Sequence, residues 1–265
     1  MSTKRIICVI PARLESTRFP RKILATLEGK PLLEWVWRAA VRTNRFDEIL
    51  FAVDAPQTAC AIQKFGGQSL MTSQDCASGT DRLIEVMESK LINSGRVKGD
   101  VWVNWQADEP FITTEMIDEL LQTSSTGSAC VNDASIWTLK KLITHEEALD
   151  QNIVKVVCDN HDNALYFSRS PIPFYRETPE CEQVFYKHVG LYAYTTSALQ
   201  KISNMPASQL EVAEKLEQLR FLQHGLSICV HTTKTEVIGI DTPQDLEKAV
   251  EFVQKQGLLI SASQE

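Results

Sequence analysis

The sequence predicts an α/β fold with a mainly parallel β-sheet, helices on both faces and a smaller antiparallel insertion. Short apolar runs rich in isoleucine and valine alternate with helix-length amphipathic stretches as far as residue 105. This alternation is typical of βαβ units, in which a helix connects two parallel strands. The predicted strands are 5–10, 48–53 and 100–105, and the predicted helices are 32–42, 58–65 and 81–92.

The pattern changes between about residues 131 and 205. The apolar runs become shorter, with strands predicted at 153–157 and 189–194, and prolines interrupt them. Because proline cannot donate to a strand ladder, this region predicts an antiparallel insertion rather than further βαβ units. We expect residues 1–265 to form a single domain that contains this insertion.

The last part of the chain returns to the first pattern. It predicts a helix at 209–223, a strand at 227–231 and a final helix that begins near Thr242. Thr242 is suited to cap that helix, Pro243 fits its first position, and Asp245 places negative charge in its first turn.

Composition excludes several classes of protein. The chain has 265 residues with 43% apolar composition, enough to bury a large core. Its net charge of −7 opposes non-specific binding to nucleic acid. No apolar run approaches the roughly 20 residues that a membrane span needs, and the N-terminus lacks a signal-peptide core. We therefore expect a cytoplasmic protein, and its seven separate cysteines, without a C-x-x-C pair, are expected to be mostly reduced.

A cationic loop follows the first predicted strand. Arg13, Arg18, Arg21 and Lys22 lie within ten residues of an otherwise acidic chain. Ligands of parallel sheets bind outside the carboxyl ends of the strands, where such side chains could surround a triphosphate. On composition alone a solvated surface loop is the simpler interpretation, since no P-loop or G-x-G-x-x-G motif is present.

Two aspartates also follow predicted strands. Asp108 comes after the strand at 100–105, and Asp241 precedes the last helix. Mg²⁺ is commonly held by one or two carboxylates together with substrate phosphates. Taken separately, Asp108 could instead cap a helix at 113–122, and Asp241 could be a turn residue.

Several motifs in one order resemble those of the CMP-sugar synthetases, and the resemblance runs from residue 6 to about residue 250. The motifs are R-L-E-S-T-R-F-P-R-K at 13–22, M-T-S-Q-D-C-A at 71–77 continued by S-G-T-D-R at 78–82, Q-A-D-E-P at 106–110, F-S-R-S-P-I-P at 167–173, K-H-V-G-L-Y-A-Y at 187–194, L-E-Q-L-R at 216–220 and G-I-D-T-P-Q-D at 239–245. The sequence departs from the family pattern at Arg21 and Ala107, where the family has glycine, and at Ile23, where it has proline. Asp54 also follows a predicted strand, but we assign it no role.

The resemblance implies a Rossmann-like nucleotidyltransferase fold, similar to that of the A-type glycosyltransferases. It also implies transfer of CMP from CTP to an acidic sugar, with Mg²⁺ as cofactor. Within the family, the likeness is greatest to members that act on the eight-carbon acid 3-deoxy-manno-octulosonate (KDO). It further implies a homodimer formed through the insertion.

The same resemblance assigns roles to individual residues. Catalytic roles fall to Arg13, Lys22, Asp108 and Asp241, of which Asp108 and Asp241 hold the metal. Nucleotide binding falls to Ala12, Arg13, Arg18, Lys22, Thr72, Ser73, Ser78, Gly79 and Gln106. Binding of the acidic sugar falls to Arg169, His188, Tyr192, Glu217 and Gln218.

Two other functions stay open at this point. One is a cytidylyltransferase for a related acid, such as sialic acid or 8-amino-KDO. The other, from a different class, is a non-catalytic nucleotide-binding module, against which the presence of both aspartates argues.

Overall fold

In the computed structural model, the residues that are described are 4–89, 99–122, 135–177 and 183–256. Their strands are β1 (Ile6–Ala12), β2 (Thr26–Leu27), β3 (Lys30–Pro31), β4 (Glu48–Val53), β5 (Gln68–Met71), β6 (Val101–Asn104), β7 (Ile136–Ile143), β8 (Lys155–Cys158), β9 (Ala164–Ser168), β10 (Phe185–Thr195) and β11 (Ile228–Thr232). Their helices are α1 (Leu32–Thr43), α2 (Pro56–Lys64), α3 (Gly79–Glu88), α4 (Thr114–Leu121), α5 (His145–Leu149), α6 (Thr196–Ile202), α7 (Gln209–Glu214), α8 (Gln218–Gln223) and α9 (Pro243–Gln256), with a short 3₁₀ turn at Lys22–Leu24.

Within the described residues, the main sheet has nine strands and is largely parallel. Seven of them follow the order β11-β7-β10-β6-β1-β4-β5, and β8 joins by pairing with β10 and β9. The strands β6, β1, β4 and β5 pair in parallel, as do β7 and β11. Strand β10 runs antiparallel to both β6 and β7. The prediction of a mainly parallel α/β sheet is confirmed.

Strand β1 shows why helices cover both faces of the sheet. Successive side chains of a strand point to opposite faces, and every residue from Ile7 to Ile10 is fully buried. Cys8 and Ile10 pack in a core with residues of α1 and α4. Ile7 and Val9 pack in a second core with residues of α3 and α6. A strand buried on both faces is apolar throughout, which is the pattern that predicted it.

The antiparallel strands of the predicted insertion are continuous with the main sheet. Strand β10 pairs with β7 along most of its length and with β6 near its C-terminal end. The pairing slips between Val189 and Tyr192, where Gly190 forms part of a bulge. His188 precedes the bulge and pairs with Lys140 of β7, whereas Tyr192 follows it and pairs with Asn104 at the end of β6.

The prediction of one continuous helix at 209–223 is wrong. The structure has two short helices, because α7 ends at Lys215, which has the left-handed conformation with φ 55°. Its N–H bonds to Glu211 and the chain turns before α8 begins. Ordinary helical periodicity across the break would have placed Glu217 on a solvated face, whereas the turn directs it toward α3.

The caps of the helices agree with the sequence. Ser78 and Asp81 form a reciprocal capping box at the start of α3. Thr242 accepts a hydrogen bond from the backbone N–H of Asp245, whose carboxylate accepts from the N–H of Thr242. Each such cap satisfies backbone donors that a helix start otherwise leaves unpaired.

The cysteines follow the expectation in part. Cys8, Cys60, Cys76 and Cys158 are free thiols, whereas Cys229 is in a disulfide. Among the described residues, no helix combines the length and the apolar character required to cross a membrane.

Candidate functional site

A cleft opens where the carboxyl ends of β1 and β6 meet. The two strands pair in parallel, so the residues that follow them emerge at the same edge of the sheet. The cavity there has a volume of about 200 Å³ and contains most of the motif residues expected at the nucleotide. It is lined by Pro11, Arg13, Glu15, Ser16, Lys22, Ile23, Cys76, Ala77, Ser78, Gly79, Arg82, Gln106, Ala107 and Asp108.

The cationic loop leaves β1 with a defined shape. The N–H of Leu14 donates to the buried carboxylate of Asp54 at 2.9 Å, and the N–H of Lys22 donates to the carbonyl of Phe19 at 3.1 Å. Between them, Arg21 has φ 53° and ψ 30°. The left-handed conformation that suits the family's glycine is therefore present here with an arginine, at a cost in backbone strain.

Lys22 brings the two aspartates together. Its Nζ donates to Oδ2 of Asp108 at 2.6 Å and to Oδ1 of Asp241 at 2.8 Å. The Lys22 side chain is 9% exposed, so both ion pairs are partly shielded from water. Two carboxylates far apart in sequence thus converge on one point beside the cationic loop.

The backbone fixes this convergence independently of the side chains. The N–H of Ile240 donates to the carbonyl of Asp108 at 2.9 Å, which ties the segment before α9 to the segment after β6. The caps of the adjacent helices are supplied by other residues, Thr113 for α4 and Thr242 for α9. The carboxylates of Asp108 and Asp241 are therefore not used as helix caps.

The clustered charges around Lys22 shift the pKa values of the groups beside them. Burial alone would lower the pKa of Lys22, but the carboxylates of Asp108 and Asp241 outweigh it and the pKa is raised. Burial raises the pKa of Glu109 to about 8, and the charges of Asp108 and Asp241 add to the rise. Among the described residues, Oε2 of Glu109 has no hydrogen-bond partner.

The carboxylate oxygens of Asp108 and Asp241 suit a hard divalent cation that is also coordinated by oxygens of the substrate. The oxygens of Asp108 and Asp241 contact the same nitrogen, so one cation can reach both. In the described part of the chain, no cluster of three or more His, Cys, Asp or Glu could form an all-protein metal cage. Two carboxylates plus phosphate oxygens is the arrangement that Mg²⁺ commonly takes.

The remaining cations of the loop flank this pair. Nη2 of Arg18 lies 3.0 Å from Oδ2 of Asp241, and Arg13 is exposed on the wall of the cavity. Ala12 is fully buried at the end of β1, where it pairs with Val53 of β4. Ala12 does not line the cavity, so its predicted contact with the nucleotide stays a prediction.

The start of α3 forms the opposite wall. Ser78 and Gly79 line the cavity together with Gln106. A Cβ atom on Gly79 would lie 3.1 Å from Nε2 of Gln106 and 3.3 Å from Cγ of Pro11. A larger residue here would have to displace the side chain of Gln106 or the ring of Pro11 by a few tenths of an ångström, because both pack directly against the helix start.

Thr72 and Ser73 lie behind this wall. The hydroxyl of Thr72 donates to the carbonyl of Val53 and accepts from Arg82, while the N–H of Ser73 donates to Glu85. Neither residue lines the cavity. Their predicted contact with the nucleotide stays a prediction.

His188 and Tyr192 stand on β10 beside the bulge. Their rings lie 5.2 Å apart, and burial lowers the pKa of His188 to about 3, so the ring is neutral at pH 7. Nε2 of His188 lies 3.0 Å from Oγ1 of Thr138, whose own proton is directed to the carbonyls of Val189 and Leu191. Nε2 therefore donates, which leaves Nδ1 as an acceptor.

Among the described residues, the buried hydroxyl of Tyr192 has no hydrogen-bond partner. A buried hydroxyl without a partner is costly, so it is either satisfied by a ligand or by water. This property is compatible with the predicted contact to a polyol.

Arg169 is held firmly by its neighbours. Its Nε donates to the carbonyl of Glu214 at 2.8 Å and its Nη1 to the carbonyl of Gln151 at 3.1 Å. The buried ammonium group of Lys155 donates to the carbonyl of Arg169 at 2.6 Å. Within the described part of the chain, Nη2 of Arg169 makes no hydrogen bond and can serve an anion.

Glu217 and Gln218 follow the break between α7 and α8. The carboxylate of Glu217 accepts from Oγ of Ser78 at 2.6 Å, from Oγ1 of Thr80 at 2.7 Å and from Arg220 at 2.9 Å. Gln218 is buried at the start of α8. The motif near residue 217 thus meets the motif at 78–82 directly.

Sequence reasoning missed a supporting ion pair under the cleft. Nη2 of Arg82 lies 3.1 Å from Oδ2 of Asp54, and both side chains are almost fully buried. Asp54 also anchors the first loop through the N–H of Leu14. Asp54 follows β4 at the edge of the sheet where ligands bind, and this position in the sequence could have identified it as a functional residue.

Comparison with known proteins gives a consistent result. The family model described as "Cytidylyltransferase" matches residues 7–228. The chain is 43% identical over 256 residues to 3-deoxy-manno-octulosonate cytidylyltransferase of Geobacter sulfurreducens, covering 93% of this chain and 98% of that protein. It is 44% identical over 250 residues to the protein of the same name from Thermodesulfovibrio yellowstonii, covering 92% and 96%.

The fold is also shared with a solved structure. It is similar to the structure of CMP:2-keto-3-deoxy-manno-octonic acid synthetase complexed with CTP, with a TM-score of 0.85 and 38% identity. The match covers 95% of this chain and 99% of that one. The chain therefore belongs to the cytidylyltransferase family, among the 3-deoxy-manno-octulosonate cytidylyltransferases.

Proposed function

We propose that this protein transfers CMP from CTP to the anomeric hydroxyl of KDO and releases pyrophosphate. The observation that carries the proposal is the convergence of Asp108 and Asp241 on Nζ of Lys22, at 2.6 and 2.8 Å. A carboxylate pair next to a cationic loop is what a reaction between a triphosphate and a metal-bound acceptor requires. The relatives named above act on the same acceptor.

On the nucleotide side, the chain supplies positive charge and a shaped wall. Arg13 and Lys22 would neutralise the departing pyrophosphate, with Arg18 assisting from its place next to Asp241. Ala12, Ser78, Gly79 and Gln106 would hold the nucleotide, together with Thr72 and Ser73, which lie behind the wall.

We assign the divalent cation, Mg²⁺, to the carboxylates of Asp108 and Asp241. When bound, such an ion neutralises phosphate charge and lowers the pKa of a coordinated hydroxyl. Asp108 and Asp241 would then orient the reacting groups for in-line attack on the α-phosphorus. No covalent enzyme intermediate is required.

On the acceptor side, an anionic polyol needs one cation and several hydrogen-bonding groups. Nη2 of Arg169 can donate to the sugar carboxylate, and Arg169 is already positioned by carbonyls that bind its other nitrogens. His188, being neutral, would accept from a sugar hydroxyl through Nδ1 rather than pair with the carboxylate. Tyr192, Glu217 and Gln218 would complete the hydrogen bonding.

We further propose a homodimer formed through the insertion. Several apolar side chains are exposed at that end of the molecule, including Phe174, which is 85% exposed, with Leu142, Leu149 and Val184. Exposed apolar patches of this kind mark association surfaces. Sedimentation at micromolar concentration should give a dimer, and a monomer alone would refute the proposal.

Release of pyrophosphate tests the proposed reaction. The purified protein is incubated with CTP, Mg²⁺ and one of three acceptors, KDO, 8-amino-KDO or sialic acid. We expect turnover to be fastest with KDO. Faster turnover with sialic acid or 8-amino-KDO would correct the acceptor. Binding of CTP that releases no pyrophosphate with any of the three acceptors would indicate a non-catalytic nucleotide-binding module.

A further inference from the structure

Glu217 stands between residues expected at different substrates. The motif at 78–82 belongs to the nucleotide side and the motif at 216–220 to the acceptor side. The carboxylate of Glu217 nevertheless bonds to Ser78 across 139 residues and to Thr80 across 137 residues of sequence. The two walls of the site therefore share one charged group.

The contacts of Glu217 are short and oriented. One carboxylate oxygen accepts from Oγ of Ser78 at 2.6 Å, and the other accepts from Oγ1 of Thr80 at 2.7 Å. Hydroxyl-to-carboxylate bonds of this length are among the stronger hydrogen bonds in proteins. Nη2 of Arg220, whose side chain is 12% exposed, adds a third donor at 2.9 Å.

These contacts decide how Ser78 can interact with a ligand. Its hydroxyl accepts from the N–H of Asp81 at 3.1 Å and directs its own proton to Glu217. A hydroxyl has one proton and two lone pairs, so Ser78 can offer the cavity only a lone pair. A hydrogen-bond donor of the nucleotide can therefore bind the Ser78 hydroxyl only while Glu217 holds the hydroxyl proton in this direction.

Glu217 also retains capacity on its other side. A carboxylate has about four lone-pair sites, and Ser78, Thr80 and Arg220 use three of them. Oγ1 of Thr80 lies 3.4 Å from the hydroxyl of Tyr194, whose ring stacks on Tyr192. The carboxylate therefore lies next to the tyrosine pair of the acceptor side.

We propose that Glu217 couples the two substrate sites by fixing the hydroxyls of Ser78 and Thr80 while offering its remaining lone pair to the acceptor sugar. This inference rests on the proposed function, because it takes CTP and an acidic polyol as the ligands. Arg220 acts through Glu217 and is a positioning residue. Coupling of this kind is reciprocal, so each ligand should raise the affinity for the other by the same factor.

The direct test measures nucleotide binding without any acceptor. Isothermal titration gives the Kd for CTP in the wild type, in Glu217→Gln and in the matched control Glu214→Gln. Glu214 lies in the same segment and binds Ser168 and the N–H of Arg169, but it makes no hydrogen bond to the α3 wall among the described residues. We expect Glu217→Gln to weaken CTP binding about fivefold or more and Glu214→Gln to leave it unchanged.

A double variant distinguishes coupling from independent losses. If Glu217 acts on the nucleotide through Ser78, then Ser78→Ala with Glu217→Gln should bind CTP no more weakly than Ser78→Ala alone. Thr80→Ser retains the hydroxyl and should keep normal affinity, whereas Thr80→Val should weaken CTP binding. The comparison of Thr80→Ser with Thr80→Val still tests the proposal if Glu217→Gln does not fold.

Cooperativity supplies the last arm of the experiment. With the unreactive α,β-methylene analogue of CTP, KDO should bind more tightly to the wild type than it does without nucleotide, and this gain should disappear in Glu217→Gln. Normal CTP affinity in both Glu217→Gln and Thr80→Val would overturn the proposal. Failure of the wild type to release pyrophosphate from CTP and KDO would instead refute the proposed function, since CTP binding is measured without turnover.

Discussion

Nζ of Lys22 lies 2.6 Å from Oδ2 of Asp108, although 86 residues separate the two in the chain. The same nitrogen also bonds to Asp241, 219 residues away. An ammonium group and a divalent ion that use the same oxygens must compete for them. The phosphates of a nucleotide offer Lys22 other acceptors, so the nucleotide should favour release of the carboxylates to the metal.

We predict that Lys22→Met strengthens metal binding in the absence of nucleotide. Removal of the positive charge beside Asp108 and Asp241 should tighten Mn²⁺ binding by about tenfold or more. Titration of Mn²⁺, followed by electron paramagnetic resonance, measures the effect directly. Arg21→Met is the matched control, because Arg21 is largely exposed and pairs only loosely with Glu15 at 3.8 Å. Equal Mn²⁺ affinity in wild type and Lys22→Met would contradict the competition.

The second prediction concerns pH and His188. Burial lowers the folded-state pKa of His188 to about 3, below the unfolded value of 6.5. The unfolded chain therefore binds a proton that the folded chain does not, and stability is lost as the pH falls below 6.5. Between pH 7.5 and 5.5 the wild type should lose about 1 kcal/mol more unfolding free energy than His188→Gln. Urea denaturation at both pH values tests this, and parallel losses in the two proteins would exclude it.

A third prediction concerns the buried pair of Asp54 and Arg82. Asp54→Ala leaves the guanidinium of Arg82 buried without its partner, which should reduce the unfolding free energy by about 3–5 kcal/mol. The double variant Asp54→Ala, Arg82→Met removes both charges and should be more stable than Asp54→Ala alone. Denaturant midpoints compare the three proteins. If the double variant is the less stable, the loss arises from the anchor at Leu14 and not from the unpaired charge.

The fourth prediction concerns Arg21, which has the left-handed conformation that glycine adopts without strain. Arg21→Gly should raise the unfolding free energy by about 0.5–1 kcal/mol, since relief of strain exceeds the added entropy of the unfolded chain. Arg21→Ala removes the guanidinium but keeps Cβ, so it should give no such gain. Thermal unfolding distinguishes the two, and equal stability of both variants would refute strain as the cause.

Much of the fold could be predicted because local pattern determines it. Strand β4 was predicted at its observed bounds, since an apolar strand buried on both faces reads as one continuous run. The end of α7 at Lys215 could not be predicted in this way. Lysine favours helices, and its left-handed conformation depends on the packing of α7 and α8 rather than on its own preference.

The candidate site shows the same division. Its residues could be named because Lys22, Asp108 and Asp241 each follow an element of recognisable pattern and match family motifs. The contacts between site residues could not be predicted in the same way. The hydrogen bond from Ser78 to Glu217, for example, depends on how α8 packs against α3, and neither segment alone determines that packing. The pairing of β10 with both β6 and β7 is a long-range choice of the same kind.

Asp108 and Asp241 together should hold one divalent ion for transfer of CMP. The most direct measurement is Mn²⁺ binding with CTP present, alongside pyrophosphate release, in Asp108→Asn. We expect Mn²⁺ binding to be lost and turnover to fall by about a hundredfold or more, while thermal unfolding remains cooperative. Wild-type Mn²⁺ affinity and near-normal turnover in Asp108→Asn would contradict it.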